Sequence, residues 1–268
     1  MESKKVLYVS QEITPYLSET DLSKIARYLP QGIQERGKEI RTFMPRYGCI
    51  NERRNQLHEV IRLSGMNLII NDTDHPLIIK VASIQSARMQ VYFIDNEDYF
   101  SRKQLYADSE GNEFDDNDER VIFFARGVIE TVRKLRWAPD IVHCHGWMSA
   151  LVPAYLKHAY SDDPLFSNHK AIYSVYNNGF KKPFGKEFAE KLKKDGITEL
   201  PDSLPDSPDF KNLTRLAIDN SDGIIFGSED ADADIEGYAG ATGKPVLPFT
   251  DDESYIDIYN DFYDKLLQ

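Results

Sequence analysis

Short apolar runs and helically spaced apolar positions take turns along this chain. Lys5-Val-Leu-Tyr-Val-Ser10 is an apolar run bounded by polar residues, and Leu22, Ile25, Leu29 and Ile33 then recur at helical spacing. The pattern predicts a strand followed by a helix. Gly37 lies where that helix would stop, and Ile40-Arg-Thr-Phe-Met44 reads as a second strand ahead of a Pro45-Arg-Tyr-Gly48 turn. A strand, helix, strand unit makes a parallel pair, because the helical crossover returns the chain in the same direction. Between Val60 and Phe93 the segments shorten, notably Leu77–Ala82 and Gln90–Ile94, and predict strands or hairpins. Asp95–Asp118 is polar and aromatic and reads as a long loop. The alternation then resumes. Helices are expected over Asp116–Leu135, Trp147–His158, Phe210–Asn220 and Ser228–Tyr238, with strands at Ile141–His143, Lys170–Val175 and Gly223–Phe226.

The class is therefore α/β, a single Rossmann-like doubly wound domain over residues 1–249. Residues 250–268 are expected to form a closing helix packed back on it. Tyr255, Tyr259, Phe262, Tyr263 and Leu266 fall on one helical stripe there, and such a stripe needs a partner.

Composition narrows the partners. With 268 residues, 41% of them apolar and 28% charged, the chain can bury a substantial core. Its 32 basic and 44 acidic side chains give a net charge of −12, which repels phosphate backbones and anionic lipid head groups, so neither nucleic acid nor membrane is an expected partner. No run approaches the roughly 18 consecutive apolar residues of a membrane span. Cys49 and Cys144 are the only cysteines, and Met1-Glu-Ser-Lys-Lys5 leads into the first strand without an apolar signal region, so the expected setting is cytoplasmic.

In open α/β sheets ligands sit outside the carboxyl ends of the strands, so the residues that follow each strand carry the candidate chemistry. After the first strand, Glu12–Leu22 contains no glycine that would let backbone N–H groups approach a phosphate. Ser18 with Asp21 fits a helix cap instead, and Glu19 and Asp21 add negative charge where an anion would need positive potential. His143-Cys-His145 places two imidazoles on one strand face without an identifiable third ligand, so no metal and no cofactor are expected. His145 is expected as a hydrogen-bonded imidazole at a cleft edge and His143 as a buried strand residue. Trp147, Tyr176 and Asn177 would line the same cleft, where aromatic faces and amides suit a sugar. The acidic run Glu229–Glu236 reads as a solvated helix start rather than a calcium loop, and Asp115–Glu119 as the acidic N-terminus of the helix that follows it.

Four segments in order, Tyr8-Val-Ser-Gln-Glu-Ile-Thr-Pro15, Arg41-Thr-Phe-Met-Pro-Arg-Tyr-Gly48, Tyr92-Phe-Ile-Asp-Asn-Glu-Asp-Tyr-Phe100 and Asp140-Ile-Val-His-Cys-His-Gly-Trp147, resemble the N-terminal domain of bacterial glycogen and starch synthases. Leu105-Tyr106 and Asn117–Phe124 extend the resemblance, which runs through most of residues 4–230. It implies the N-terminal half of a GT-B glycosyltransferase fold. In that family two Rossmann-like domains transfer glucose from ADP-glucose to the non-reducing end of an α-1,4-glucan, the first domain mainly holding the acceptor.

The departures from the family pattern fall on functional positions. The Lys-Thr-Gly-Gly-Leu loop that meets the sugar nucleotide falls on Ser18-Glu-Thr-Asp-Leu22, His-Asp-Trp-His on His145-Gly146-Trp147-Met148, and Thr-Val-His-Asn on Ser174-Val-Tyr176-Asn177. The second domain has no counterpart after Phe226, while Tyr255–Leu267 resembles the family's final helix. No catalytic residue is therefore assigned, Ser18, Gly146 and Tyr176 standing at degenerate positions. The expectation is a synthase-like chain that is catalytically impaired alone and acts as a glucan-binding or regulatory module beside a synthase partner. An α-1,4-glucan or maltooligosaccharide would sit on His145, Trp147, Tyr176 and Asn177. The alternatives are a glucosyltransferase completed in trans by a partner domain, or a protein-interaction module.

Overall fold

The computed structural model describes residues 3–268. Its order is β1 (Lys5–Ser10), α1 (Asp21–Glu35), β2 (Glu39–Pro45), β3 (His58–Glu59), β4 (Met66–Ile70), β5 (Thr73–Ile84), β6 (Met89–Asp95), α2 (Glu97–Phe100) and α3 (Asn117–Leu135). It continues through β7 (Ile141–His145), α4 (Val152–Lys157), β8 (Lys170–Val175), α5 (Phe188–Lys194), α6 (Phe210–Asp219), β9 (Gly223–Phe226), α7 (Ala233–Ala241), β10 (Val246–Leu247) and α8 (Tyr255–Leu266). The strands form one mixed sheet in the order β10, β9, β8, β7, β1, β2, β6, β5, β3, with β4 paired to β5 off that path. From β10 to β6 every neighbouring pair is parallel, and β5 pairs antiparallel with β6, β3 and β4. The expected doubly wound α/β domain is what forms.

Strand order places the site. The chain leaves β1 for β2 on one side and later returns to β7 on the other, so β1 and β7 flank the topological switch point. Alternation along each strand feeds two cores. Leu7, Val9, Val142, Cys144, Tyr173 and Ile224 meet α3, α4 and α6 on one face. Val6, Tyr8, Ile141, Ile172 and Ile225 lie on the other, under Leu29 and Ile33 of α1 and Tyr259, Phe262 and Tyr263 of α8. Both faces are covered, which is why the inner strands read as unbroken apolar runs rather than alternating ones.

α8 occupies the part of the second face that α1 does not reach. Its approach is close enough that a Cβ at Gly32 would meet Ile256 at 2.6 Å and one at Gly223 would meet Leu266 at 2.9 Å. Arg36–Asp257 at 2.6 Å and Lys38–Asp264 at 2.8 Å tie the helix to the end of α1 and the turn that follows it.

Several boundaries differ from the sequence reading. Trp147–His158 is not one helix but a 3-10 turn at Trp147–Ser149 followed by α4, with Pro153 in the first turn of α4, where its missing N–H costs nothing. The α1 cap is Thr20 rather than Ser18, through a reciprocal pair in which Thr20 Oγ1 accepts from Ser23 N–H and Ser23 Oγ from Thr20 N–H. α7 starts at Ala233 behind an Asp232 cap, five residues later than expected from Ser228. Asp118 and Glu119 do not face solvent alone, since Lys191 of α5 reaches them at 2.7 and 2.8 Å.

Candidate functional site

The switch-point crevice is filled by the chain's own side chains. Gln11, directly after β1, accepts from the backbone N–H of Met148 at 3.2 Å through Oε1. Glu12 accepts from Thr20 Oγ1 at 2.9 Å and from the Tyr106 hydroxyl at 3.1 Å, and Tyr106 in turn accepts from the Tyr47 hydroxyl at 3.2 Å. This chain of hydrogen bonds draws the 11–20 loop down onto the sheet end. It also places the Glu12 carboxylate beside the α1 N-terminus, whose Ser23 N–H is already taken by Thr20. A phosphate at such a terminus would meet the Glu12 carboxylate and Asp21 there and find the Ser23 N–H already engaged, both unfavourable to an anion.

Gly146 follows β7 at φ +80°, and a Cβ there would run into the Gln11 amide and Leu22. Any side chain at this position would be both strained and blocked. Trp147 is 1% exposed, wedged against Tyr106, Phe180 and Phe184. Tyr176 is buried as well, its ring packed over Gly227 and its hydroxyl 2.9 Å from His145 Nδ1. His145 Nε2 and Ser10 Oγ, in register across β7 and β1, are buried with no protein partner.

His143 and His145 stack with ring centroids 3.9 Å apart. Burial holds the His145 pKa down to about 3, and burial with the neighbouring His145 ring holds His143 well below the usual histidine range. Both are neutral at pH 7. The Tyr263 hydroxyl at 2.6 Å from Nδ1 and Ser174 Oγ at 2.7 Å from Nε2 satisfy His143 in either tautomer, since each hydroxyl can donate or accept. Among the described residues no three His, Cys, Asp or Glu side chains converge as metal ligands.

Of the four residues expected to line a sugar cleft, His145, Trp147 and Tyr176 are thus inside the protein, and only Asn177 is exposed. Its side-chain amide donates to Asp230 at 2.7 Å. The open cleft at this end of the sheet lies just beyond Tyr176, on the α8 side. It has a volume of about 370 Å³ and is lined by Tyr28, Tyr255, Tyr259 and Phe249, with Asp21, Asp251 and Asp252 at its edge. Of the four large apolar side chains exposed among the described residues, two, Tyr28 at 50% and Phe249 at 37%, stand on this cleft. Sequence reasoning passed over both, although Tyr28 gave a signal: it falls off the apolar stripe of α1 as an unburied aromatic.

A parallel doubly wound sheet with its crevice between β1 and β7, closed on its open face by a returning C-terminal helix, defines a Rossmann-like domain of the GT-B glycosyltransferase architecture. More narrowly, residues 5–243 match the starch synthase catalytic domain, and the chain belongs to that family. It is 37% identical over 219 residues to a glycogen synthase of Chlorobium luteolum, covering 81% of this chain and 44% of that one. To a glycogen synthase of Chlorobium limicola it is 42% identical over 174 residues, 65% of this chain and 36% of that one. The chain thus spans less than half the length of these curated relatives. The catalytic domain of starch synthase IV from Arabidopsis thaliana, solved bound to ADP and acarbose, superposes with a TM-score of 0.71 at 20% identity, over 92% of this chain and 51% of that one. At that identity the superposition speaks for the fold.

Cys49 is exposed and Cys144 buried, both as free thiols. No helix among the described residues is long and apolar enough to cross a membrane.

Proposed function

We propose that this chain is a glycogen synthase-like module that holds an α-1,4-glucan without itself transferring glucose. The observation that carries the reading is the aromatic cleft of Tyr28, Phe249, Tyr255 and Tyr259 at the carboxyl ends of the parallel strands. Its volume is within the usual range of roughly 300–1,000 Å³ for small-molecule sites. Aromatic faces stack on the C–H faces of sugar rings, and the carboxylates of Asp21, Asp251 and Asp252 accept from hydroxyls at the rim. Catalytic silence is supported by the crevice itself, where Glu12 sets a carboxylate beside the α1 N-terminus and Thr20 and Gln11 engage the Ser23 and Met148 N–H groups.

Titration with maltooligosaccharides, followed by calorimetry or NMR, tests binding. Tyr28→Ala and Phe249→Ala, both at exposed positions, should each weaken it several-fold while leaving the melting curve in place. Unchanged spectra at millimolar sugar would end the glucan reading. In a parallel assay, labelled ADP-glucose should leave no label in glycogen above a no-protein control. Steady incorporation would overturn the non-catalytic half of the proposal and leave the glucan half standing.

A further inference from the structure

A second groove, of about 450 Å³, lies at the opposite end of the sheet, where the amino ends of β2 and β6 meet the carboxyl end of β5. A smaller cleft of about 300 Å³ shares Gln34 and Arg88 with it and continues it past the β5–β6 turn. Three guanidinium groups, of Arg27, Arg41 and Arg88, surround this turn, and none of them pairs with a carboxylate among the described residues.

Arg41 lies against the faces of Trp137 and Tyr92, at 5.2 and 5.8 Å from the ring centroids, and donates to the Tyr92 hydroxyl at 2.7 Å. Its Nε is buried without a partner. Arg27, buried beneath the turn, donates to Gln31 at 2.8 Å and approaches Ser86 Oγ at 3.4 Å. Arg88 is exposed at the rim with a left-handed backbone, φ +51°; its backbone N–H donates to Gln85 O at 3.1 Å, while its side chain has no hydrogen bond or ion pair among the described residues. The two acids on the groove walls are turned to other partners. Glu39 accepts from Trp137 Nε1 at 2.5 Å and Glu35 from Gln31 Nε2 at 2.9 Å.

In a chain with twelve more acidic than basic side chains, two arginines without a carboxylate partner, Arg41 and Arg88, line the larger groove, with Arg27 beneath its turn and Glu39 the one acid on its wall. A guanidinium fixed by stacking presents its donors in a rigid fork, the geometry that matches phosphate oxygens. The amides of Gln34, Gln85 and Gln90 line the same groove and suit hydroxyls on whatever carries the phosphate. We propose that this groove is a binding site for a small phosphate-bearing ligand, with Arg41 and Arg88 as the phosphate contacts. It lies at the other end of the strands from the aromatic cleft and does not depend on the glucan reading.

The test is an NMR or calorimetric titration of the full chain with inorganic phosphate and, separately, with a hexose monophosphate, at ionic strength held constant with sodium chloride. Saturable binding by either probe supports the site. Tighter binding of the hexose monophosphate assigns it to a phosphorylated sugar, and equal binding to the bare ion. Arg88→Gln, at an exposed rim position, should lower affinity by about tenfold, the loss expected for one charge-assisted hydrogen bond. Arg41→Gln should lower it at least as much, with a melting curve recorded to confirm that it folds. No saturable response to millimolar ligand beyond the chloride control, or an affinity unchanged in Arg88→Gln, would overturn the proposal.

Discussion

Tyr263 connects the closing helix to the buried polar face of the sheet, and its two contributions can be separated. Tyr263→Phe keeps the ring and deletes the hydroxyl that lies 2.6 Å from His143 Nδ1, with both residues fully buried. His143 then keeps only Ser174, at Nε2. Leaving one buried polar group unpartnered costs about 1–3 kcal/mol. Tyr263→Ala also removes the ring from between α8 and Val6, Tyr8 and Ile141, a loss of about 3–5 kcal/mol for a large buried aromatic. The alanine variant should therefore lose about 4–8 kcal/mol in all, against a typical net stability of about 5–15 kcal/mol. The phenylalanine variant should fold with a lowered urea midpoint and an unchanged m value, and the alanine variant should sit near the edge of folding. Thermal melts should move by about 2–4 °C for each kcal/mol lost in a chain of this size. A phenylalanine variant as stable as the parent would show that the His143 hydrogen bond adds nothing. An alanine variant that loses less than about 1 kcal/mol would mean that α8 is a loose appendage.

The histidine pair makes stability depend on pH with a definite sign. Both folded pKa values lie below the unfolded value of about 6.5, so stability is fully present above that pH and is lost as pH falls toward the folded values. Between pH 6.5 and 5 His145 should remove about 2 kcal/mol, with His143 acting in the same direction, and His145→Gln should flatten the slope by about that amount relative to the parent. Identical pH slopes in parent and variant would refute the burial argument. Trp147→Ala, with the ring 1% exposed, should cost about 3–5 kcal/mol while the folded fraction keeps its affinity for maltooligosaccharide. Lost binding at unchanged stability would move the sugar site back to Trp147.

Where periodicity was strong, the fold was legible from the chain. The apolar spacing of Leu22, Leu29 and Ile33 marks the buried side of α1, and the terminal stripe marks Tyr259, Phe262 and Tyr263, the three residues of α8 that are buried. Signals shorter than one period failed. β3 is two residues long and shows no alternation, and α2 is one turn inside what reads as a loop. The α1 cap was misplaced by two residues because Ser18 and Thr20 are equally good caps in sequence. Only the reciprocal bond with Ser23 selects Thr20.

The site was less legible, for a geometric reason. His145, Trp147 and Tyr176 follow strand ends, which is where ligands bind in this architecture, but strand position does not reveal what covers a side chain. For Trp147 the cover comes from Tyr106, Phe180 and Phe184, each distant from it in sequence. The open cleft likewise joins Tyr28 to Phe249 from opposite ends of the chain. The positions Thr20, Gly146 and Tyr176 each hold a separate contact in this crevice. An aspartate restored at Gly146 would collide with Gln11 and Leu22 on a left-handed backbone. A histidine restored at Tyr176 would strand His145 Nδ1, and a glycine-rich loop would lose the Thr20 hydroxyl that holds Glu12. Each such change breaks a different contact, so their costs should add when they are combined, apart from any coupling between neighbours.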